Sequence, residues 1–125
     1  MKIKIALALL ISAALGGLAV QGLHAQAKPP GYAIISIDLT DEAGFVKEYA
    51  PMAGKIITGS GGKYLARGGK VVAVEGAPVK RLVVVQFESL DKAVATFTSD
   101  AYKEARKVGD KYAKFHILAT EGAAP

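Results

Sequence analysis

The sequence contains no cysteine in its 125 residues. Disulfide bonds, thiolate nucleophiles, cysteine-ligated metal sites and a lipoprotein anchor are therefore excluded. Histidine is almost as scarce, with only His24 and His116. Because His24 falls in a segment that we expect to be removed, no site with several histidines fits in one mature chain. The carboxylates show no ligand spacing, and we predict neither a metal nor a cofactor.

Long apolar runs are also lacking, except near the N-terminus. Residues 5–20 form an apolar stretch of 16 residues, shorter than the roughly 20 that a membrane-spanning helix needs. Two lysines precede it, and the small-x-small tripeptide Ala25-Gln26-Ala27 follows. These features predict a signal peptide over residues 1–27, with an uncleaved anchor as the alternative. We expect an exported bacterial protein, periplasmic or secreted, with no membrane attachment after cleavage.

The charges are scattered, and no dense basic tract occurs. The formal net charge is +5 for the whole chain and +3 once the two lysines of the signal peptide are removed. A nucleic-acid-binding protein is expected to concentrate its basic residues on one face, so we predict no nucleic-acid partner. Residues 28–125 suffice for one domain, which must be held together by packing alone.

The first half of this domain predicts a strand, a helix and a hairpin. Residues 32–39 alternate in polarity as a strand does. Residues 40–42 provide helix-capping and acidic first-turn positions, and Pro51 predicts a kink or break in the helix that follows. The apolar face of this helix is predicted at Phe45, Tyr49, Met52 and Ile56. Residues 63–66 and 71–75 are predicted to be short strands around a glycine-rich turn.

The second half predicts a strand, helical segments and a last strand. Residues 81–87 are rich in β-branched residues, which favours a strand buried on both faces. Ser89 is the predicted cap of a helix that buries Leu90, Ala93, Val94 and Phe97. Helical turns are predicted over 101–108 and a final strand over 115–120.

The order β-α-β-β-α-β predicts an α+β, ferredoxin-like domain over residues 28–125. Its antiparallel sheet would carry both helices on one face and leave the other uncovered. The uncovered face is expected to be too apolar to remain in water. Its apolar residues are Tyr32, Ile34, Leu82, Val84 and Leu118. We therefore predict a homodimer packed sheet to sheet about a twofold axis.

Several sequence blocks resemble one protein family across residues 31–122. The blocks are Gly61-Gly-Lys-Tyr-Leu-Ala-Arg-Gly-Gly69, Val74-Glu-Gly76, Arg81-Leu-Val-Val84 with Phe87, the positions Ser99, Tyr102 and Ala105, and Glu121-Gly122. They resemble the domain of unknown function 1330 family. The resemblance implies a dimeric α/β barrel, related in fold to antibiotic-biosynthesis monooxygenases and without an established activity. Members often carry an arginine about two turns after Tyr102, where this chain has Gly109, with Arg106 and Lys107 nearby.

Arg67 is the first candidate for a functional side chain. A guanidinium flanked by glycine can approach a carboxylate or phenolate and bind it through two parallel hydrogen bonds. The favoured alternative is a structural pair with Glu75 across the predicted hairpin, in which the glycines only supply positive φ. The glycines match no phosphate-binding motif.

The remaining candidates are aromatic residues and two weak candidates for a general base. Tyr49, Tyr102 and Phe97 are predicted to line a cavity between helices and sheet, although core packing is the favoured role of the tyrosines. His116 is the only obvious general base of the mature chain, yet a position in the dimer interface is favoured. Glu48 is predicted to be a solvated helix charge rather than a base.

Three functions follow from these residues. The first is binding of a small ligand, anionic or aromatic, at Tyr49, Phe97, Tyr102 and Arg67. The second is a cofactor-independent enzyme of oxygenase or isomerase type, resembling the monooxygenase relatives, with His116 or Glu48 as base. The third is a structural or interaction protein that acts through its dimer surface. They are ranked in that order, and fold analogy alone supports the second.

Overall fold

The computed structural model describes residues 28–124. The predicted signal peptide, residues 1–27, lies outside them. Within the described part, no helix is long and apolar enough to cross a membrane. The elements in chain order are β1 (Gly31–Leu39), α1 (residues 42–59), β2 (Lys63–Arg67), β3 (Arg81–Phe87), α2 (Leu90–Thr98), α3 (Asp100–Gly109) and β4 (Ala113–Glu121).

The four strands form one sheet in the order β2-β3-β1-β4, and every neighbouring pair is antiparallel. The two central strands, β1 and β3, are thus the first and third along the chain. This is the ferredoxin-like βαββαβ arrangement. The predicted α+β fold is confirmed.

Helix α1 contains a π-helical turn that the sequence pattern did not reveal. Asp41 caps the helix, and its carboxylate accepts a hydrogen bond of 3.0 Å from the backbone N–H of Gly44. The helix then runs through Glu42–Gly44, the π turn Phe45–Tyr49 and the α-helical segment Ala50–Gly59. Pro51 lies in the first turn of that last segment, where a helix tolerates proline. A widened turn therefore replaces the kink or break predicted at Pro51.

The π turn moves the buried face of α1 by one residue. Phe45 and Tyr49 are buried, as the periodicity predicts. Beyond the turn, Ala53 and Ile57 are buried, whereas Met52 is 38% exposed. A π turn contains one residue more than an α turn, so the prediction of Met52 on this face was wrong. Ile56 is partly buried and packs against the core, as predicted.

The predicted strand at residues 71–75 is absent. Strand β2 pairs with β3, with a register shift between Tyr64 and Ala66, and residues 68–80 form the connection. Val72 and Val74 are 68% and 95% exposed. Glycines at positive φ bound the segment at Gly68 and Gly76, and its valines reach no core against which a strand could pack. The hairpin prediction was therefore wrong.

Serine caps begin both later helices. Ser89 Oγ accepts a hydrogen bond from the backbone N–H of Lys92 and begins α2, as predicted. Ser99 does the same for α3. Val94 was predicted on the buried face of α2 but is 46% exposed. Thr96 is buried instead, and its hydroxyl is satisfied by donating to the carbonyl of Lys92 at 2.8 Å.

The core lies between the helices and one face of the sheet. It is formed by Ala33, Ile35, Ile37, Val83, Val85 and Phe87 on the strands, with Phe45, Tyr49, Ile57, Ala93 and Tyr102 on the helices. Strand β3 buries only alternate residues within one chain, so burial on both of its faces is not reached. The opposite face, here called the open face, carries Tyr32, Ile34, Leu82, Val84, His116 and Leu118.

Candidate functional site

Two tyrosine hydroxyls meet where α1 packs against α3. The oxygens of Tyr49 and Tyr102 are 2.7 Å apart, and both side chains are buried. Burial raises the pKa of Tyr49 far above its usual range, and the neighbouring Tyr102 adds to the effect. Burial also raises the pKa of Tyr102, although its bond to Tyr49 and the charge of Arg106 oppose the shift. Both hydroxyls therefore stay protonated at neutral pH and act as hydrogen-bonding groups, not bases.

A groove of about 650 Å³ lies on the Tyr102 side of this tyrosine pair, between α2, α3 and β4. Its walls are largely apolar and its cations come from α3. The lining includes Phe97, Tyr102, Ile117, Ala119, Lys103 and Arg106. The Phe97 ring stands edge-on to Tyr102 at 4.9 Å between centroids. The volume and the few polar groups are typical of small-molecule sites.

Arg106 supplies the positive charge nearest the aromatic part of the groove. Its guanidinium lies 4.1 Å above the Phe115 ring. One terminal nitrogen binds the Asp110 carboxylate at 3.1 Å. Its Nε is buried and has no hydrogen-bond partner in the described part of the chain. Because Asp110 uses only one of the five N–H donors of a guanidinium, Arg106 retains donors for a ligand.

A second cavity, here called the arginine crevice, lies on the Tyr49 side of the pair. It is bounded by α1 and by strands β1, β2 and β3, and its volume is about 30 Å³. Its lining includes Phe45, Tyr49, Tyr64, Arg67 and Arg81. The tyrosine pair forms the partition between the crevice and the groove.

The structure divides the predicted ligand-binding residues between these two cavities. Phe97 and Tyr102 line the groove, whereas Tyr49 and Arg67 line the arginine crevice. No ion pair joins Arg67 to Glu75 in the described residues. With residues 71–75 outside the sheet, the cross-hairpin geometry required for that pair is missing.

The two weak candidates for a general base lie outside both cavities. Glu48 is exposed and accepts a hydrogen bond from the Tyr112 hydroxyl. This bond raises the pKa of Tyr112. His116 is exposed on the open face, where it pairs in register with Ser36. The structure thus brings no predicted base next to the groove or the crevice.

Sequence reasoning missed two arginines of the cavities. Arg81 occupies a position of β3 two residues before Val83, so strand alternation places it on the helix-facing side. Arg106 follows Tyr102 by four residues, which puts both side chains on one face of α3. These spacings were available, but the cavities depend on how the helices lie over the sheet. Within residues 28–124, no group of three or more potential metal ligands is found.

Comparison with known proteins identifies the family. The family model for the domain of unknown function DUF1330 matches residues 30–123. The chain belongs to this family. No curated protein sequence matches the chain.

Solved structures share the fold of this DUF1330 chain. A protein of unknown function from Rhodopseudomonas palustris is 16% identical with a TM-score of 0.61, over 86% of this chain and 94% of that one. A candidate antibiotic biosynthesis monooxygenase from Caulobacter crescentus is 15% identical, with a TM-score of 0.55 over 78% and 92%. A hypothetical protein of Arabidopsis thaliana is 16% identical, with 0.51 over 79% and 93%. Identities this low show a common fold only.

Gly109 lies where the family resemblance implied an arginine, and the aromatic side chains around it leave no room for one. A Cβ at residue 109 would lie 2.7 Å from the ring of Tyr49 and 2.8 Å from Phe115. No side chain fits there without displacing an aromatic ring. Arg106, one turn earlier on α3, places its guanidinium beside Phe115.

Proposed function

We propose that this DUF1330 protein is an exported homodimer that binds a small, partly apolar or aromatic molecule bearing an anionic group. The observation that carries the proposal is the groove, with aromatic walls at Phe97 and Tyr102 and Arg106 beside them. A ligand ring can pack on the aromatic side chains, and its carboxylate can accept charge-assisted hydrogen bonds from Arg106.

Binding is favoured over catalysis because no described residue that lines the groove could take a proton. Burial raises the pKa of Tyr102, which stays protonated at neutral pH, and Lys103 and Arg106 are the cations of the lining. Glu48 and His116 lie elsewhere. A cofactor-independent oxygenase or isomerase requires a base within hydrogen-bond reach of its substrate.

The binding test compares carboxylates with their uncharged amides. Wild-type protein is titrated calorimetrically with benzoate and phenylacetate, and then with benzamide and phenylacetamide. We expect the carboxylates to bind more tightly than the amides by about tenfold, the value of one charge-assisted hydrogen bond. Arg106→Gln is expected to abolish this preference.

Lys107→Gln is the matched control for this substitution. Lys107 is the next residue on α3, is 72% exposed and binds Glu104 rather than the groove. The control is expected to bind as the wild type does. Equal binding of acids and amides, or equal losses in both variants, would contradict an anionic ligand held by Arg106.

The proposed partner for the open face is a second copy of the chain. Val84, Ile34 and Leu118 lie side by side on three adjacent strands. Ile34 is 36% exposed and Leu118 is 54% exposed. A row of exposed apolar side chains on a sheet face is stabilised when another surface buries it, and twofold symmetry would bring two such rows together.

Sedimentation velocity tests the dimer. Wild type is expected to sediment as a dimer and Leu118→Glu as a folded monomer. Val74→Glu is the control, because it makes the same change of charge at a residue that is 95% exposed in the 68–80 connection. A wild-type monomer, or a Leu118→Glu dimer, would refute the proposed interface.

Export is tested on the intact gene expressed in a bacterial host. Mass spectrometry of the periplasmic fraction is expected to find a mature chain that begins at Lys28. A full-length chain retained with the membranes would instead support an uncleaved anchor.

A further inference from the structure

Two arginines on neighbouring strands converge on the arginine crevice. Arg67 pairs in register with Val83, and Arg81 pairs with Ile37. Since Val83 and Ile37 are buried beneath the helices, both arginines lie on the helix-facing side of the sheet. Both side chains therefore line the arginine crevice.

Aromatic rings hold both guanidinium groups at the crevice. Arg67 Cζ lies 4.3 Å from the centroid of the Tyr64 ring. Arg81 Cζ lies 5.2 Å from that of Phe45. Both arginine charges act to lower the pKa of Tyr64, against a larger upward shift from burial.

Backbone geometry around the crevice is fitted to these side chains. A Cβ at Gly54 of α1 would lie 3.3 Å from a terminal nitrogen of Arg67, so the guanidinium rests against this helix. Gly68 has a φ of +70°, and a Cβ there would lie 2.4 Å from a terminal nitrogen of Arg81. Glycine at residue 68 therefore permits the turn after β2 and leaves room for the second guanidinium.

Among residues 28–124, no carboxylate neutralises this pair of charges. The ion pairs in residues 28–124 are Arg106 with Asp110 and Lys107 with Glu104. Arg81 Nε is buried and lacks a hydrogen-bond partner within the described part of the chain. An unpaired guanidinium with a buried, unsatisfied donor is unfavourable, and an anion between the arginines would supply the missing countercharge.

We propose that Arg67 and Arg81 form an oxyanion-binding site, separate from the groove, for a phosphate or carboxylate group. The cavity volume of about 30 Å³ has room for about two water molecules. It therefore accepts the oxygens of an anionic group but not an aromatic body. Paired guanidinium groups are suited to such planar or tetrahedral oxyanions.

The test is a calorimetric titration of the mature protein with inorganic phosphate and, separately, acetate, at constant ionic strength. Saturable one-site binding is expected for at least one anion, and the tighter of the two identifies the preferred group. Arg67→Gln and Arg81→Gln are each expected to weaken binding by about tenfold or more. Arg81→Lys keeps the charge but loses the two-pronged geometry, so it should fall between wild type and Arg81→Gln.

Two controls isolate the site. Lys63→Gln makes the same charge change on β2, but its side chain is directed to the open face because it pairs with Gln86. Lys107→Gln makes the same charge change on α3, where Lys107 binds Glu104 and lines neither cavity. Both are expected to bind within about twofold of wild type, which a general charge effect would not give. Absence of saturable binding, or equal weakening in Lys63→Gln, would overturn the site and leave the groove proposal untouched.

Discussion

Removing one hydroxyl from the tyrosine pair is expected to destabilise the protein more than removing both. Tyr49 and Tyr102 satisfy each other through a 2.7 Å hydrogen bond inside the core. Tyr49→Phe or Tyr102→Phe leaves the other hydroxyl buried without this partner, which lowers the free energy of unfolding by about 1–3 kcal/mol. The double variant leaves no orphaned hydroxyl and is expected to remain within about 1 kcal/mol of wild type.

The assay is urea unfolding followed by far-ultraviolet circular dichroism, since the chain contains no tryptophan. The slope of the free energy of unfolding against urea concentration should be the same in all variants, so that the transition midpoints report stability. Tyr32→Phe on the open face is the control, and it is expected to stay within about 0.5 kcal/mol of wild type. If the losses of free energy of unfolding in the two single variants add up to the loss in the double variant, the two hydroxyls contribute independently. Such additivity would refute the reasoning.

Gly109→Ala is expected to lower the free energy of unfolding by about 1–3 kcal/mol, since its Cβ would lie 2.7 Å from the Tyr49 ring. Gly59→Ala is the control and should be neutral, because a Cβ there meets nothing within 4 Å. Thermal unfolding of both variants measures the difference. Ile57→Ala should cost about 2–4 kcal/mol and Met52→Ala less than about 1 kcal/mol, and the reverse order in urea unfolding would contradict the face shift made by the π turn. Stability should fall as pH rises above about 10, because the folded pKa values of the tyrosine pair are raised above the unfolded value of 10.0, so their contribution is complete below that pH and is lost above it. Between about pH 9 and about pH 11, the double phenylalanine variant should lose less free energy of unfolding than wild type does. An equal loss in both proteins would assign the effect to other groups.

The fold could be predicted because local signals and the global arrangement agree. Alternation in residues 32–39 and 81–87 predicts the two central strands of the sheet. Ser89 acts as the predicted helix cap. These features depend on backbone hydrogen bonding and on a period of two or 3.6 residues, so they can be read from neighbouring residues alone.

The errors arise where distant contacts outweigh local preference. The π turn at Phe45–Tyr49 does not follow from a simple sequence period, so the pattern could not predict it. Residues 71–75 resemble a strand in composition, yet β3 takes the position beside β2. Composition cannot show which of two candidate strands obtains a hydrogen-bonding partner.

The candidate site was predictable in residue type but not in arrangement. Aromatic residues and Arg67 were identified from sequence, whereas the division into two cavities follows from the Tyr49–Tyr102 contact across 53 positions of sequence. The sequence could not assign Arg81 and Arg106 to the cavities, because their place in the lining depends on how the helices lie over the sheet. Such tertiary juxtapositions lie beyond periodicity.

The most direct test of the central claim is a native mass spectrum of the mature protein purified gently from its own host. A dimer is predicted, carrying a reproducible small-molecule mass in the wild type and in Lys107→Gln but not in Arg106→Gln. A monomer, or a dimer without any added mass in the wild type, would contradict an exported ligand-binding homodimer.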